Sequence, residues 1–298
     1  MGEPDVVTSR WGVALDGDAF SSGQLQSSEF EQAISSSSLV ELAANPTSAD
    51  LRIEARANSV FRFYLANQAN ALAAFRIPTK RARSLPRKVQ GIAEHLSVYH
   101  KLLELQAPLS YIADAIDLQF VRLLEPASLG KTPAAEPLAT DESGNYMMKA
   151  GQNLAVVFSH NAPDPLYFYV LAMDGRTQSA AIVYPYKPEF SARVKPGESV
   201  MVGAGPVYLI ELQVPDGYPS GIDIFKIFVS SAAIEHPEIK LPRLGTLRDE
   251  LSDLYGTGVC LDRELRKVLT GRQGTAAMPS FEREPWWTMQ KTVLIEST

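Results

Sequence analysis

Between residues 146 and 230, five apolar runs alternate with hairpin-type punctuation, and that spacing admits few architectures. The runs are Leu154 to Phe158, Leu166 to Leu171, Ala181 to Tyr184, Val207 to Leu212 and Ile222 to Val229. They are separated by Ala162-Pro163-Asp164-Pro165, Met173-Asp174-Gly175-Arg176, Lys195-Pro196-Gly197-Glu198 and Pro215-Asp216-Gly217-Tyr218. In such turns proline presets φ and glycine accepts positive φ. Short strands joined by local turns predict an antiparallel β-sandwich over residues 146–232.

Upstream the texture changes. Residues 1–38 mix serine, glycine and acidic side chains and end in Ser35-Ser36-Ser37-Ser38, which reads as a flexible or loop-rich segment. Leu39 to Leu42, Ala49 to Ala55 and Val60 to Leu65 follow the period of two of half-buried strands. Val89, Ile92, Leu96, Tyr99, Leu102 and Leu103 then follow helical spacing behind Pro86, a residue tolerated in a first helical turn. Residues 39–125 therefore read as a small α+β unit. Leu118 to Leu124 supplies either its last strand or the first strand of the sandwich. Residues 126–145, rich in proline and glycine, read as a connection. Residues 233–298 read as two short helices, Leu244 to Tyr255 and Leu261 to Leu269, followed by a closing strand from Trp286 to Ile295 that pairs with an open sheet edge. The expected class is α+β: a small α+β unit, an antiparallel β-sandwich, and a C-terminal helical and strand extension.

The bulk properties exclude several functions. With 298 residues, 45% of them hydrophobic and 21% charged, the chain carries enough apolar surface to fold as two packed units. A net charge of −6 argues against a nucleic-acid partner, which needs a basic footprint. The basic cluster Arg76, Lys80, Arg81, Arg83, Arg87 and Lys88 lacks interleaved aromatics to stack bases and reads as a solvated loop and helix start. No apolar stretch approaches the roughly 20 residues of a membrane span. One cysteine, Cys260, permits neither an intrachain disulfide nor a thiolate metal cage. Met1-Gly2-Glu3-Pro4-Asp5 does not read as a signal peptide, so the expected location is cytoplasmic.

No catalytic constellation emerges. Glu125 to Thr132 comes within one residue of a phosphate-binding loop, but Glu125 stands at the first glycine position and Pro133 interrupts the helix that should follow. Gly256-Thr257-Gly258 lacks the third glycine of a dinucleotide turn. His95 and His100, five apart on a helix, do not share a face and read as polar-face histidines; His160 and His236 have no ligand-spaced neighbour. Cys260 has no adjacent base and reads as buried and inert. Asp223 and Glu211 read as the solvent face of strands, which gives no carboxylate pair. No cofactor or metal is expected. The candidate binding residues are aromatic: Trp286 and Trp287, which as strand neighbours face opposite ways, so that one closes the core while the other faces a partner, together with Tyr184 and Tyr186.

Ala150-Gly151-Gln152, Leu166 to Gly175, Ile182-Val183-Tyr184-Pro185, Val194 to Glu198 and Ile222 to Ser230 resemble a β-sandwich family of unknown function often attached to caspase-like peptidases. The flanks resemble the non-catalytic C-terminal portion of fungal caspase-domain proteins. The His-Gly turn and Asp-X-Cys strand of the peptidase itself occur nowhere in the chain. The resemblance implies a non-catalytic interaction or regulatory module that binds a protein or glycan through the sandwich, with a caspase-like domain as partner in cis or in trans. The rival expectation is an enzyme of another type, using carboxylates that the fold gathers from distant positions.

Overall fold

A computed structural model describes residues 10–56, 60–66, 68–76, 84–106, 112–125, 132–186, 192–205, 208–215, 218–233, 240–241, 243–244 and 286–297. The chain is mostly β, with three α-helices among the described residues, and it divides into two compact units. One unit comprises Met1–Glu104 and Leu244–Gln273, the other Leu105–Arg243 and Gly274–Thr298. The two C-terminal helices expected from the sequence, Gly256-Thr257-Gly258, Cys260, His236 and Lys80 to Arg83 lie outside the described residues. None of the helices described is long and apolar enough to cross a membrane.

The first unit contains β1 (Trp11–Asp16), α1 (Asp18–Ser21), α2 (Ser27–Ser35), β2 (Val40–Leu42), β3 (Leu51–Arg56), β4 (Val60–Leu65), β5 (Ala73–Arg76) and α3 (Leu85–Glu104). Its sheet runs in the order β2-β1-β3-β4-β5, with β1 parallel to both neighbours and the other pairs antiparallel. Period-two alternation places Trp11, Val13, Leu51, Ile53, Phe61 and Phe63 on one face, where they meet Phe30 and Ile34 of α2 and Val89, Ile92 and Leu96 of α3. Ser37 ties the entry to β2 to α3: its hydroxyl accepts from the amides of Leu39 and Val40 and donates to Glu94 at 2.6 Å.

The expected loop-rich segment over residues 1–38 is thus corrected from Trp11 onward, because β1 lies inside the sheet. Its Trp-Gly-Val-Ala-Leu-Asp alternation is short and set among polar neighbours, and parallel pairing leaves no hairpin signal to mark it. Gly17, which follows β1, has φ +109°, and a Cβ there would lie 2.3 Å from the Ala55 carbonyl oxygen. Gly17→Ala should cost about 2 kcal/mol or more, from backbone strain and steric displacement together. Gly23→Ala, also at positive φ but with nothing within 4 Å, serves as the comparison. Urea unfolding of the two variants should show the larger loss at position 17.

The second unit contains β6 (Ile116–Leu123), β7 (Ala135–Pro137), β8 (Tyr146–Lys149), β9 (Asn153–His160), β10 (Leu166–Asp174), β11 (Ser179–Tyr184), β12 (Arg193–Val194), β13 (Ser199–Val202), β14 (Ala204–Gly205), β15 (Tyr208–Glu211), β16 (Ser220–Ser230), β17 (Lys240–Leu241) and β18 (Trp286–Glu296). A seven-stranded sheet runs β17-β11-β10-β16-β18-β8, with β12 beside β10; a six-stranded sheet runs β14-β15-β9-β6-β7, with β13 beside β9. The five apolar runs of the sequence fall on β9, β10, β11, β15 and β16. The two sheets contribute to one apolar cluster. Within it Phe158 of β9 stacks on Phe168 of β10 at 4.0 Å, and Phe120 of β6 meets Phe225 of β16 edge-on at 5.8 Å.

Three boundaries move. Leu118 to Leu124, assignable from the sequence to either unit, falls largely on β6, which pairs along β9 and belongs to the second unit. The expected connection over residues 126–145 contains β7, which pairs with β6. The tail forms a strand, but it does not close a sheet edge: it pairs with β16 on one side and β8 lies parallel on the other.

Candidate functional site

The candidate aromatic residues divide between two places. Tyr184, at the end of β11, is half-buried and packs against the shared core, its ring 5.9 Å from Phe168. Tyr186, just beyond it, is 37% exposed and stacks at 6.0 Å, nearly parallel, on Tyr208 of β15. The stack therefore joins a residue following the seven-stranded sheet to a strand of the six-stranded one. Burial, and for Tyr184 the charge of Glu198 as well, raises the phenol pKa of Tyr184, while burial alone raises that of Tyr208, so both remain protonated O–H donors at neutral pH. The result is an aromatic rim in which Tyr186 is the most exposed ring.

Trp287 does not join this rim. It lies opposite Val229 on the side of β18 that packs against the core. Two strands, β10 and β16, separate β18 from β11, a span of roughly 14 Å at the spacing of paired strands. Trp287 thus takes the core-closing role expected of one tryptophan. The side chain of Trp286 lies outside the described residues.

The structure also brings Asp223 opposite Asp174, a pair distinct from Asp223 and Glu211. Asp174 and Asp223 stand directly opposite each other where β10 pairs with β16. Asp223 shares strand parity with Phe225, Ile227 and Val229, so it stands at the lip of the core-facing side and not on the solvent face. Burial and the facing Asp174 carboxylate push the Asp223 pKa up to about 7, with Arg243 drawing it back. Parity alone does not reveal this, because Ile222, Ile224 and Phe228 make the other face of β16 apolar as well. A strand buried on both sides shows no alternation to read. Glu211, by contrast, is exposed as expected.

Asp174 also performs the turn role expected of it. Its Oδ1 accepts from the backbone N–H groups of Arg176 and Thr177 at 2.8 and 3.0 Å, and its Oδ2 accepts from the Thr177 hydroxyl at 2.7 Å. Arg176 in turn donates to the carbonyl and the hydroxyl of Ser220.

The remaining candidates take structural places. Glu125 accepts from the Ala134 amide at 3.2 Å, which ties together the two ends of the loop that was compared with a phosphate cradle. His95 is not on a polar face: it is 1% exposed, because α3 is buried around much of its circumference. His100 stacks on Trp11 at 5.4 Å, and burial lowers its pKa to about 4. His160 is not in a turn but closes β9, buried, with Nε2 at 3.0 Å from the Val194 carbonyl oxygen. Lys88 is buried too, at odds with a solvated helix start. A groove of about 530 Å³ between α2 and the start of α3 is lined by Glu29, Gln32, Ala33, Pro86, Arg87 and Gln90, among others. No group of three or more histidine, cysteine, aspartate or glutamate side chains suited to a metal ion occurs among the described residues. The sequence matches no protein-family model and no curated protein.

Proposed function

We propose that the chain is a non-catalytic interaction module. In this reading the two sheets of the second unit face each other as an antiparallel β-sandwich, and the rim formed by Tyr184, Tyr186 and Tyr208 binds a protein or glycan. The partner is a caspase-like peptidase domain, in cis or in trans, and the setting is cytoplasmic. The observation that carries the reading is the Tyr186–Tyr208 stack. A large ring that is already held by its neighbour and stays 37% exposed offers contact area at little further entropic cost, as binding anchors do. The five-run sequence likeness supplies the choice of partner.

The test is a titration of the full chain with a caspase-like domain from the same organism, beside a glycan array. Tyr186→Ala, at an exposed position, should fold normally and weaken binding about tenfold or more. Unchanged affinity in that variant would remove the rim from the account.

A second reading, acid–base catalysis, is favoured by one observation, the facing Asp174 and Asp223 carboxylates. Pairs held at different protonation states are a recurrent catalytic device. If that reading holds, Asp223→Asn abolishes a hydrolytic activity of the chain. Under the module reading, the same substitution changes only stability and its pH dependence.

A further inference from the structure

The row of residues that holds the carboxylate pair runs across five strands: Ser179 on β11, Asp174 on β10, Asp223 on β16, Val293 on β18 and Tyr146 on β8. Directly opposed side chains on one face have Cβ atoms about 5 Å apart, close enough for two carboxyl groups to share a proton and close enough to repel when both are ionised. The other members of the row bring no charge to the pair. Val293 is fully buried and apolar. Tyr146 is a neutral phenol stacked on Phe120. Lys291, the next residue on that side of β18, stands opposite Phe225 rather than Asp223. The Arg176 guanidinium is engaged by Ser220, and Arg243, whose charge does reach Asp223, is exposed to solvent.

The same pair sits at the root of a local latch. Asp174 holds the Arg176 and Thr177 amides, the Gly175 amide donates to the Ile222 carbonyl at 2.7 Å, and Arg176 reaches Ser220. These bonds fasten the turn between β10 and β11 to the segment that enters β16. We propose that Asp223 holds a proton opposite Asp174 and that this proton closes the latch, so that acidification tightens this end of the sheet and deprotonation of Asp223 loosens it.

The direction follows from where the proton binds more tightly. In the closed arrangement Asp223 keeps its proton up to about pH 7, whereas an open, hydrated aspartate releases it near pH 4. The proton's contribution to closure is therefore complete below about pH 4, declines between there and pH 7, and is gone above.

The experiment is amide hydrogen exchange of the intact chain from pH 4.5 to 8.5, corrected for intrinsic exchange and read at Gly175, Arg176 and Thr177. Their protection factors should fall as pH rises, by up to about tenfold per unit below pH 7, and level off above it. Asp223→Asn, which is isosteric and cannot ionise, should hold them constant. The ¹³Cγ resonance of Asp223 in the wild type gives a readout independent of any variant's folding: it should titrate near pH 7. Flat protection in the wild type, the same pH dependence in Asp223→Asn, or no aspartate titrating above pH 5.5 would each overturn the proposal.

Discussion

A chain ended at Arg283 should lose the fold of its second unit. Such a chain lacks β18, which pairs with β16 over eleven residues and with β8 over four. Val293 and Ile295 are 0% and 1% exposed, and Trp287 packs against the same cluster. Losing one buried aliphatic side chain of this size costs about 2 to 5 kcal/mol, and losing several together exceeds much of the 5 to 15 kcal/mol that holds a typical domain. The deletion also uncovers the whole ladder of β16, an edge prone to pairing with other chains. Size-exclusion chromatography and thermal melts should show aggregation or the loss of a cooperative transition. A monomer with an unchanged melting temperature would place β18 outside the structural core. For the same reason, residues 146–232 alone should not fold, although their turns are local: they lack β6, which pairs along most of β9, as well as β18.

Phe225→Ala is the most costly single substitution expected. The ring is fully buried and lies edge-on to Phe120 of β6, so truncation removes that contact and leaves a void in the apolar cluster. Comparable changes cost about 3 to 5 kcal/mol. Tyr218→Ala is the surface control: that ring is 43% exposed, and its contacts are a 3.4 Å hydrogen bond to the Arg176 carbonyl and the Arg176 guanidinium 6.0 Å from its centroid. A change within about 0.5 kcal/mol is expected there. Denaturant unfolding should separate the two variants clearly. Equal losses would mean that Phe225 does not belong to the apolar core.

What the sequence made legible was local. Aromatic and β-branched runs bounded by Pro-Gly and Asp-Gly turns located β9, β10, β11, β15 and β16, and the Trp-containing tail was recognisable as a strand. Pairing partners were not legible, because they depend on contacts between distant segments. The parallel neighbours β1 and β8 are short and carry no hairpin signature, so neither stands out as a strand in the sequence. The aromatic candidates were visible as residue types, but only the fold separates the core-packed Trp287 from the exposed Tyr186. Asp174 and Asp223 were each visible as well, one as a turn former and the other as a strand residue. Their meeting depends on the register of β10 against β16, which hydrophobic periodicity cannot supply when both faces of a strand are apolar.

The central claim, that the chain acts by binding and regulating a caspase-like peptidase, is tested most directly by the turnover of such a domain on a peptide substrate while the full chain is titrated in. The account predicts a saturable change in kcat/KM that reaches its plateau at one chain per peptidase and is shifted to higher concentration by Tyr186→Ala. Constant kcat/KM throughout the titration, with no complex detected at the same concentrations, would contradict it.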